Sequence, residues 1–258
     1  MKNRTVLPNL YLAVMLTLTY IPILLVILYS FNASRISSVW GGFSLSWYGE
    51  LFRDRLMLQA LKNSLILAVC SSLAAGAIGT LGAVGMSRAH LRTNGAIEYL
   101  STLPIMIPEI VLGMVFMVFF SLIGLPFGMT ALVAGHTTFC IPYVFMMVKA
   151  RLAGMDKSYV EAARDLGANE LRAFWDITLP LLRPAVLSGM LLSFAMSMDD
   201  VIISLFISDA NTNTLPVKIY SQLKFGVTPK TNALCALMFG VTLLIGLFSF
   251  RVGRQKAG

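Results

Sequence analysis

Long apolar stretches alternate with shorter polar ones along most of the chain. Six of the apolar stretches are about 20 residues long, the length that an α-helix needs to cross the hydrocarbon core of a bilayer. They predict membrane spans at residues 10–31, 64–86, 99–123, 129–148, 185–208 and 232–250. The pattern therefore predicts an all-α membrane protein with six transmembrane helices, forming a single domain over residues 1–258.

Two of these spans have a composition that predicts how their helices pack or break. Residues 64–86 are rich in Gly and Ala, and small residues allow neighbouring helices to approach closely. Pro104 and Pro108 interrupt residues 99–123, because proline lacks the amide that a helix interior needs. The sequence therefore predicts close packing around the second span and a broken helix in the third.

Two longer polar segments, residues 32–61 and 209–231, are predicted to lie on the outer side of the membrane. The first contains Trp40, Trp47 and Tyr48, and aromatic rings with a polar edge are enriched at membrane–water interfaces. These three side chains are therefore expected to anchor that segment at the bilayer surface.

The longest polar interval, residues 149–183, separates the fourth and fifth predicted spans. A short helix is expected around Glu161, and Gly167 stands where that helix would end or bend. A second helical pattern follows, and Pro180 and Pro184 precede the next span. Periodicity alone leaves two interpretations open: a compact helix–bend–helix, or a solvated loop lying on the bilayer surface.

The residue spacing in this interval resembles the EAA loop of ABC-importer permeases. That family's pattern is Glu-Ala-Ala, three residues, Gly, nine residues, Ile, any residue and Leu-Pro. The chain matches it at residues 161–163, at Gly167, at Ile177 and at residues 179–180. The resemblance implies a type I, MetI-like permease fold with a cytoplasmic coupling helix that docks on a separate ATPase subunit. It gives the coupling role to Glu161, Ala162, Ala163, Asp165, Gly167 and Ala168.

Composition agrees with a membrane protein, because 57% of the residues are hydrophobic and only 12% are charged. Soluble domains are about half apolar and about a quarter charged. The net charge of +8 does not indicate nucleic-acid binding, since the basic residues do not cluster with aromatic ones on a polar face. Cys70, Cys140 and Cys235 lie in apolar runs and are predicted to be small buried hydrophobes. No spacing typical of a metal site is present.

The basic residues are distributed unevenly between the two sides of the predicted topology. Of 20 Lys and Arg residues, 13 fall in the termini and in the loops after the second and fourth spans, which leaves 7 on the other side. Loops rich in Lys and Arg stay in the cytoplasm. Both termini and residues 149–183 are therefore predicted to be cytoplasmic, in a multi-pass protein that the resemblance places in a bacterial inner membrane.

The chain lacks the sequence features of an ATPase. It contains no G-x-x-x-x-G-K-[ST] loop to hold phosphates, and no nucleophile–base pair stands out. No catalytic residue and no cofactor are therefore predicted for this chain. ATP and Mg²⁺ are expected on a partner ATPase, which makes this chain a transport subunit rather than an enzyme.

Acidic residues within the apolar spans are candidates for a transport pathway, because a carboxylate at mid-bilayer is costly unless it is paired or hydrated. Asp200 shares one predicted helix face with four serines at steps of three and four residues: Ser193, Ser197, Ser204 and Ser208. Asp200 is therefore expected to face the conduit, with Ser197 and Ser204 beside it.

Two further acids have more than one interpretation. Asp199 lies about 100° around the helix from Asp200 and is expected either in the pathway or paired with a basic group or partner subunit. Glu109 follows Pro108, so it either marks a broken-helix site, lies near an interface or caps a half-helix. Because no buried Lys or Arg matches these acids, a cationic cargo is favoured. Tyr220 and Phe225 are either candidates for cation–π contacts with it or, as aromatic residues in an external segment, anchors at the membrane interface.

Three stretches resemble the spermidine/putrescine permeases of polyamine ABC importers, and the similarity covers nearly the whole chain. They are YIPILLVILYSFNASR at residues 20–35, HTTFCIPYVFMMVKARL at residues 136–152, and LSFAMSMDDVIISLFISDANTNTLPVKIYSQLKFGVTPKTNAL at residues 192–234. The resemblance implies a heterodimer with a second, homologous permease in the lipid bilayer. It also implies an ATPase dimer and a periplasmic polyamine-binding protein, with transport by alternating access.

Two other classes of protein remain as alternatives. A self-contained secondary transporter or channel would work without an ATPase, which the full EAA-like match argues against. A non-transporting scaffold would not need acids on a serine face. Among ABC permeases, another small organic solute is the alternative cargo, and the acids disfavour an anion or a metal complex.

Overall fold

Helices form nearly all of the regular structure of this protein. The structure is a computed structural model that describes residues 6–36, 39–88, 94–156, 158–224, 226–240 and 243. Within these ranges, the β geometry is limited to an isolated bridge between Asn32 and Phe43. The prediction of an all-α protein is confirmed for this part of the chain.

The helix boundaries differ at several places from those predicted. In chain order the helices are α1 (Val6–Tyr29), α2 (Ser46–Arg53), α3 (Arg55–Arg88), α4 (Asn94–Met106), α5 (Glu109–Leu122), α6 (Met129–Ala153), α7 (Ser158–Asp165), α8 (Glu170–Ala173), α9 (Leu179–Asp199), α10 (Ile202–Ile207) and α11 (Leu215–Leu223). A last helix, α12, covers residues 229–240. A π-helical turn, Phe174–Thr178, joins α8 to α9.

Four helical stretches are long and apolar enough to cross a membrane. They are Pro8–Tyr29, Arg55–Arg88, Met129–Ala153 and Glu170–Asp199. The pair α4 and α5 makes a fifth if it counts as one broken span. The described helices thus make this a multi-pass membrane protein. The sixth predicted span, 232–250, is described only at residues 232–240 and 243, and the remainder of it lies outside the described residues.

The chain divides into two compact units. One comprises Met1–Leu58 and Ile219–Gly258, and the other comprises Gln59–Lys218. The second unit holds α4 to α10, most of α3 and the whole predicted coupling loop. The division of the chain into domains, predicted as a single domain of residues 1–258, stays a prediction.

Asn32 organises the segment between α1 and α2 in the first unit. Its side-chain amide donates to the Val39 carbonyl at 2.7 Å and accepts from the Gly41 amide at 2.8 Å. Its backbone carbonyl accepts from the indole nitrogen of Trp47 at 2.7 Å. Trp47 is therefore buried, and its prediction as an interface anchor is wrong because the polar edge of the ring is used inside the unit. Trp40 is exposed, as an anchor would be.

Close packing in the second unit depends on glycines at helix crossings. A Cβ on Gly189 of α9 would lie 2.8 Å from the Cα of Val144 on α6. A Cβ on Gly79 of α3 would lie 3.1 Å from the carbonyl oxygen of Ile141, also on α6. Because such contacts are shorter than ordinary Cβ contacts, α6 can approach α3 and α9 this closely only where the crossing residue is a glycine. The close packing predicted for residues 64–86 is confirmed at this crossing.

Two helix breaks define the centre of the second unit. The chain turns by 107° between α4 and α5, at residues 107–108, as the prediction of a broken third span expects. Pro108 cannot donate to the preceding turn, and its carbonyl accepts the amides of Val111 and Leu112 to start α5. Pro104 is tolerated inside α4.

The second break lies at Asp200, where the sequence predicts one continuous helix over residues 185–208. The predicted helix is wrong in two places: it is interrupted at Asp200, and it begins earlier than residue 185. Asp200 is extended, with φ −66° and ψ 126°, and separates α9 from α10. At the other end, the helix already starts at Glu170, because Pro180 falls in the first turn of α9 after the π-helical turn, where its missing amide does little harm.

The predicted burial of the cysteines is correct only in part. Cys140 is fully buried on α6 and Cys235 is half-buried. Cys70 is exposed on α3, because it faces away from the core of its unit. All three thiols are free.

Candidate functional site

The segment that matches the EAA pattern forms a short exposed helix. α7 starts where the carboxylate of Asp156 accepts the amide of Ser158 at 2.9 Å. The backbone and hydroxyl hydrogen bonds from Ser158 lower the pKa of Asp156. None of the residues of α7 is buried. The helix therefore presents its surface outward rather than to the core of its own chain.

Gly167 reverses the chain after α7. Its φ of +87° lies in the left-handed region, which side chains with a Cβ disfavour. The turn is closed by a hydrogen bond of 2.8 Å from the Gly167 amide to the Arg164 carbonyl. The side chain of Asn169 then accepts the amide of Arg172 at 2.8 Å and caps α8. The structure thus confirms the predicted helix–bend–helix.

The residues predicted to couple to an ATPase all lie on this exposed feature. Two of them, Ala163 and Ala168, are half-buried. The other four are exposed: Glu161, Ala162, Asp165 and Gly167. Large apolar side chains project beside them, with Leu166 89%, Leu171 71% and Trp175 61% exposed. Apolar side chains this open to solvent are typical of a surface that another protein covers.

Asp200 caps the short helix that follows it. One carboxylate oxygen accepts the Ile203 amide at 3.2 Å, and the other accepts both the amide and the hydroxyl of Ser204 at 2.8 Å. Its side chain is 4% exposed. A buried carboxylate with this many donors stabilises the break between α9 and α10.

His136 of α6 joins Asp200 to two other helices. Its Nε2 lies 3.1 Å from the Ser204 hydroxyl and 3.3 Å from the Asp200 carboxylate. Its Nδ1 lies 2.8 Å from the hydroxyl of Ser197 on α9, which accepts in turn from Ser71 of α3 at 3.1 Å. His136 is fully buried, so every polar atom of its ring has a partner within the protein.

The proton positions in this chain of side chains follow from the donors available. The hydroxyl of Ser204 donates to Asp200, so it accepts from Nε2–H of His136. The hydroxyl of Ser71 donates to Ser197, which leaves the Ser197 hydroxyl free to donate to Nδ1. With the Nε2 proton directed at Ser204 and Nδ1 accepting from Ser197, every group from α3 to α10 has a partner.

This network gives Asp200 a buried neighbour that the sequence did not indicate. His136 is neither a lysine nor an arginine, so the inference from an unmatched acid to a cationic cargo stays a prediction. Ser197 and Ser204 are buried in the same contacts. Whether these three residues line the conduit stays a prediction.

A cavity of about 60 Å³ lies where the two helix breaks meet. Ile107 and Glu109 border it from the first break, Asp200 borders it from the second, and Phe139 and Tyr143 of α6 close it. Glu109 is exposed at the first turn of α5, where the helix dipole favours an acid. The cavity brings two of the three predicted pathway acids to the same place.

Asp199 stands apart from this cavity. It is the last residue of α9 and is exposed. The carboxyl end of a helix disfavours a negative charge by about 0.3–1 kcal/mol. The local fold therefore does not require an acid at this position, which agrees with a role towards cargo or a partner.

The aromatic candidates for cargo contacts are not supported. Lys224 places its ammonium group 5.1 Å from the centre of the Tyr220 ring. A cation of the protein itself therefore occupies the ring face that was predicted to meet the cargo. Phe225 lies outside the described residues.

Comparison with known proteins identifies the family. Residues 75–254 match the family model described as "Binding-protein-dependent transport system inner membrane component". The match covers more than half of the chain. The chain belongs to this family.

Relatives of this permease cover most of its length. It is 39% identical over 241 residues to the putrescine transport system permease protein PotI of Escherichia coli K12, covering 91% of this chain and 86% of PotI. It is 40% identical over 237 residues to the spermidine/putrescine transport system permease protein PotC of the same strain, covering 92% and 90%. PotC of Haemophilus influenzae is 37% identical over 254 residues, covering 98% and 99%.

Solved structures share the fold of this permease. A chain of the bacterial alginate ABC transporter, in complex with a periplasmic protein that holds an alginate pentasaccharide, matches with a TM-score of 0.75 at 16% identity. That match covers 98% of this permease and 95% of the other chain. A chain of the MetNI methionine ABC transporter matches with a TM-score of 0.59 at 21% identity, covering 78% and 95%. The fold is therefore that of a type I ABC permease. The family and the relatives described above make this chain a permease subunit rather than an enzyme.

Reasoning from the sequence missed His136 as a site residue of this permease. A histidine inside an apolar span is a signal in itself, because ionisable side chains are costly there. Its partners could not be read from the sequence, since Ser71 and Asp200 lie on different helices far away in the chain. The apolar pattern of residues 185–208 also did not indicate that a helix ends at Asp200.

Proposed function

We propose that this permease moves polyamines such as putrescine and spermidine into the cytoplasm. The observation that carries the proposal is the identity of 37–40% with permeases named for these two cargoes, over most of each chain. The exposed carboxylates of Glu109 and Asp199 support it, because a polyamine carries ammonium groups at neutral pH. The cargo path runs past these acids and the cavity that borders Asp200. Ser197 and Ser204 line this path through their contacts with His136.

The proposal includes an assembly of several chains. A second, homologous permease forms a heterodimer with this one, an ATPase dimer binds ATP and Mg²⁺, and a periplasmic protein delivers the cargo. The family description, which names binding-protein-dependent transport, supports the last of these partners. This chain itself holds no cofactor in the proposed assembly.

The proposed topology has six spans in a bacterial inner membrane, with both termini and the loop of residues 149–183 in the cytoplasm. The 13 Lys and Arg residues on that side support it. In this topology α7 is the coupling helix, and its exposed surface docks on the ATPase. ATP binding moves α7, and the spans alternate between outward-open and inward-open states.

The proposal is tested by rebuilding the assembly. The permease is purified with its partner permease, ATPase and binding protein, reconstituted in proteoliposomes, and supplied with labelled putrescine or spermidine. We expect uptake that requires ATP and the binding protein. ATP-dependent uptake of neither polyamine would contradict the proposed cargo.

Transport of a different cargo is the second candidate function, and the cargoes of the solved transporters support it. Chains with this fold come from transporters for alginate and for methionine, so the fold does not select the cargo. Stimulation of ATP hydrolysis by the binding protein, loaded in turn with polyamines, amino acids and other organic cations, separates the candidates. Stimulation by another solute alone would replace polyamines in the proposal.

A further inference from the structure

A cavity separates the exposed helix α7 from the ends of two spans. Its volume is about 480 Å³, and it is bordered by Val84 near the end of α3, Leu152 near the end of α6 and Val160 on α7. α7 has no buried residue, so a rigid apolar contact does not hold it against α3. A movement of α7 therefore needs another route to reach α3.

The carboxylate of Glu170 bridges groups on two sides of this cavity. Glu170, the first residue of α8, accepts from the guanidinium of Arg88 with its Oε2 at 2.9 Å. Its other oxygen, Oε1, accepts from the guanidinium of Arg164. Arg88 is the last residue of α3, and Arg164 lies in the last turn of α7. Glu170 thus ties together three helices, with one carboxylate oxygen for each arginine.

The exposure of these groups suits a contact that forms and breaks. The side chains of Arg88, Arg164 and Glu170 are 34%, 47% and 58% exposed. Ion pairs this open to water are weak and are screened by salt, so they contribute little to folding. A contact of this strength can shift an equilibrium between two conformations without holding the protein in either of them.

We propose that Glu170 is the positioning residue that passes the movement of α7 to α3. The inference rests on the proposed function, in which α7 is the coupling helix. α9 receives the movement directly through the π-helical turn, because α8, that turn and α9 form one helix. α3 receives it through the carboxylate of Glu170. The two spans then move together when the ATPase pulls on α7.

A neighbouring ion pair provides the matched control. Arg172 and Asp176 lie four residues apart in the same helical stretch, with Nε and Oδ2 at 3.4 Å. Both side chains are exposed, but the pair joins no second element. Loss of the Asp176 charge therefore removes an ion pair from the same segment and leaves the link to α3 intact.

The test uses the complete assembly in proteoliposomes, with its partner permease, ATPase and binding protein. The readout is the ratio of ATP hydrolysis with and without cargo-loaded binding protein, which reports the signal that crosses the membrane spans. We expect Glu170→Gln and Arg88→Gln each to lower this ratio about threefold, the scale for losing a partly exposed ion pair. Asp176→Asn is expected to keep the wild-type ratio.

Two further measurements separate a transmitted movement from a merely structural role. If Arg88 and Glu170 act through one contact, the double variant is no worse than Glu170→Gln alone. Raising the salt concentration from 0.1 M to 1 M, which shortens the screening length from about 10 Å to about 3 Å, is expected to lower the wild-type ratio more than that of Glu170→Gln.

The proposal is overturned if Glu170→Gln keeps the wild-type ratio, or if the effects of Arg88→Gln and Glu170→Gln add in the double variant. It also fails if the binding protein does not stimulate the wild-type assembly, because α7 would then carry no signal. A wrong cargo has a different signature. The wild type would respond to a binding protein loaded with another solute, and Glu170→Gln would still lower the response.

Discussion

At the scale of residues, the helix break at Asp200 depends on His136. The carboxylate satisfies the first amides of α10, and the imidazole satisfies the carboxylate from a different helix. Removing one member of a buried pair is costly because the other is left without its partner. The conformation around residue 200 is therefore determined by a side chain of α6 as well as by its own segment.

His136→Ala is expected to lower the free energy of unfolding by about 2–3 kcal/mol, since it leaves the buried Asp200 carboxylate and the Ser197 hydroxyl short of a donor or acceptor. Chemical unfolding of the purified permease in detergent measures this change. Thr138→Ala on the same helix is the control, because that hydroxyl is exposed and bonds only within α6. Equal stabilities of the two variants would refute the role given to His136.

At the scale of elements, the features that the sequence predicted correctly are local. Gly167 lies in the left-handed conformation that its position in the pattern suggested, and Pro108 starts a new helix as expected. The start of the fifth span was misplaced because Pro180 is tolerated in a first turn. The break at Asp200 carries no Pro or Gly; Asp200 caps α10 locally, and His136 of a distant helix contacts the capping carboxylate, so the pattern of apolar residues did not indicate it.

The crossing of α6 and α9 gives a prediction at this scale. Gly189→Ala would place a Cβ 2.8 Å from the backbone of Val144, which cannot move aside as a flexible side chain can. We expect a loss of about 1–3 kcal/mol in the free energy of unfolding.

Gly85→Ala on α3 is the matched control for this crossing. A Cβ there has nothing within 4 Å, and alanine favours a helix over glycine, so we expect no loss of stability. Both variants are measured by unfolding in the same detergent. If Gly189→Ala is as stable as Gly85→Ala, α6 and α9 are not as close as described.

At the scale of the whole molecule, the number of apolar stretches predicted the class of protein but not the geometry of every span. The predicted spans that correspond to α1, α3 and α6 have different ends in the structure, because these helices continue through amphipathic residues beyond the apolar run. The third predicted span consists of two helices, α4 and α5, whose axes differ by 107°. The site could be predicted only as a set of acids, since their partners come from other helices.

The proposed topology makes a prediction for the intact permease. Single cysteines are introduced as Glu161→Cys in α7 and Asn211→Cys in the segment before α11, after the three native cysteines are replaced by serine. A membrane-impermeant maleimide added to spheroplasts is expected to label position 211 at once, and position 161 only after permeabilisation. Labelling of position 161 in intact spheroplasts would place α7 outside and remove it from any contact with a cytoplasmic ATPase.

The helical stretch Glu170–Asp199 has a consequence for the order of events in a transport cycle. At a rise of about 1.5 Å per residue it is about 45 Å long, and the π-helical turn Phe174–Thr178 lies near its first residues. One end lies beside the surface proposed for the ATPase, and the other meets the break at Asp200. Because Leu179–Asp199 is a single helix, we expect a displacement at the start of α9 to reach the break at Asp200 without an intermediate step.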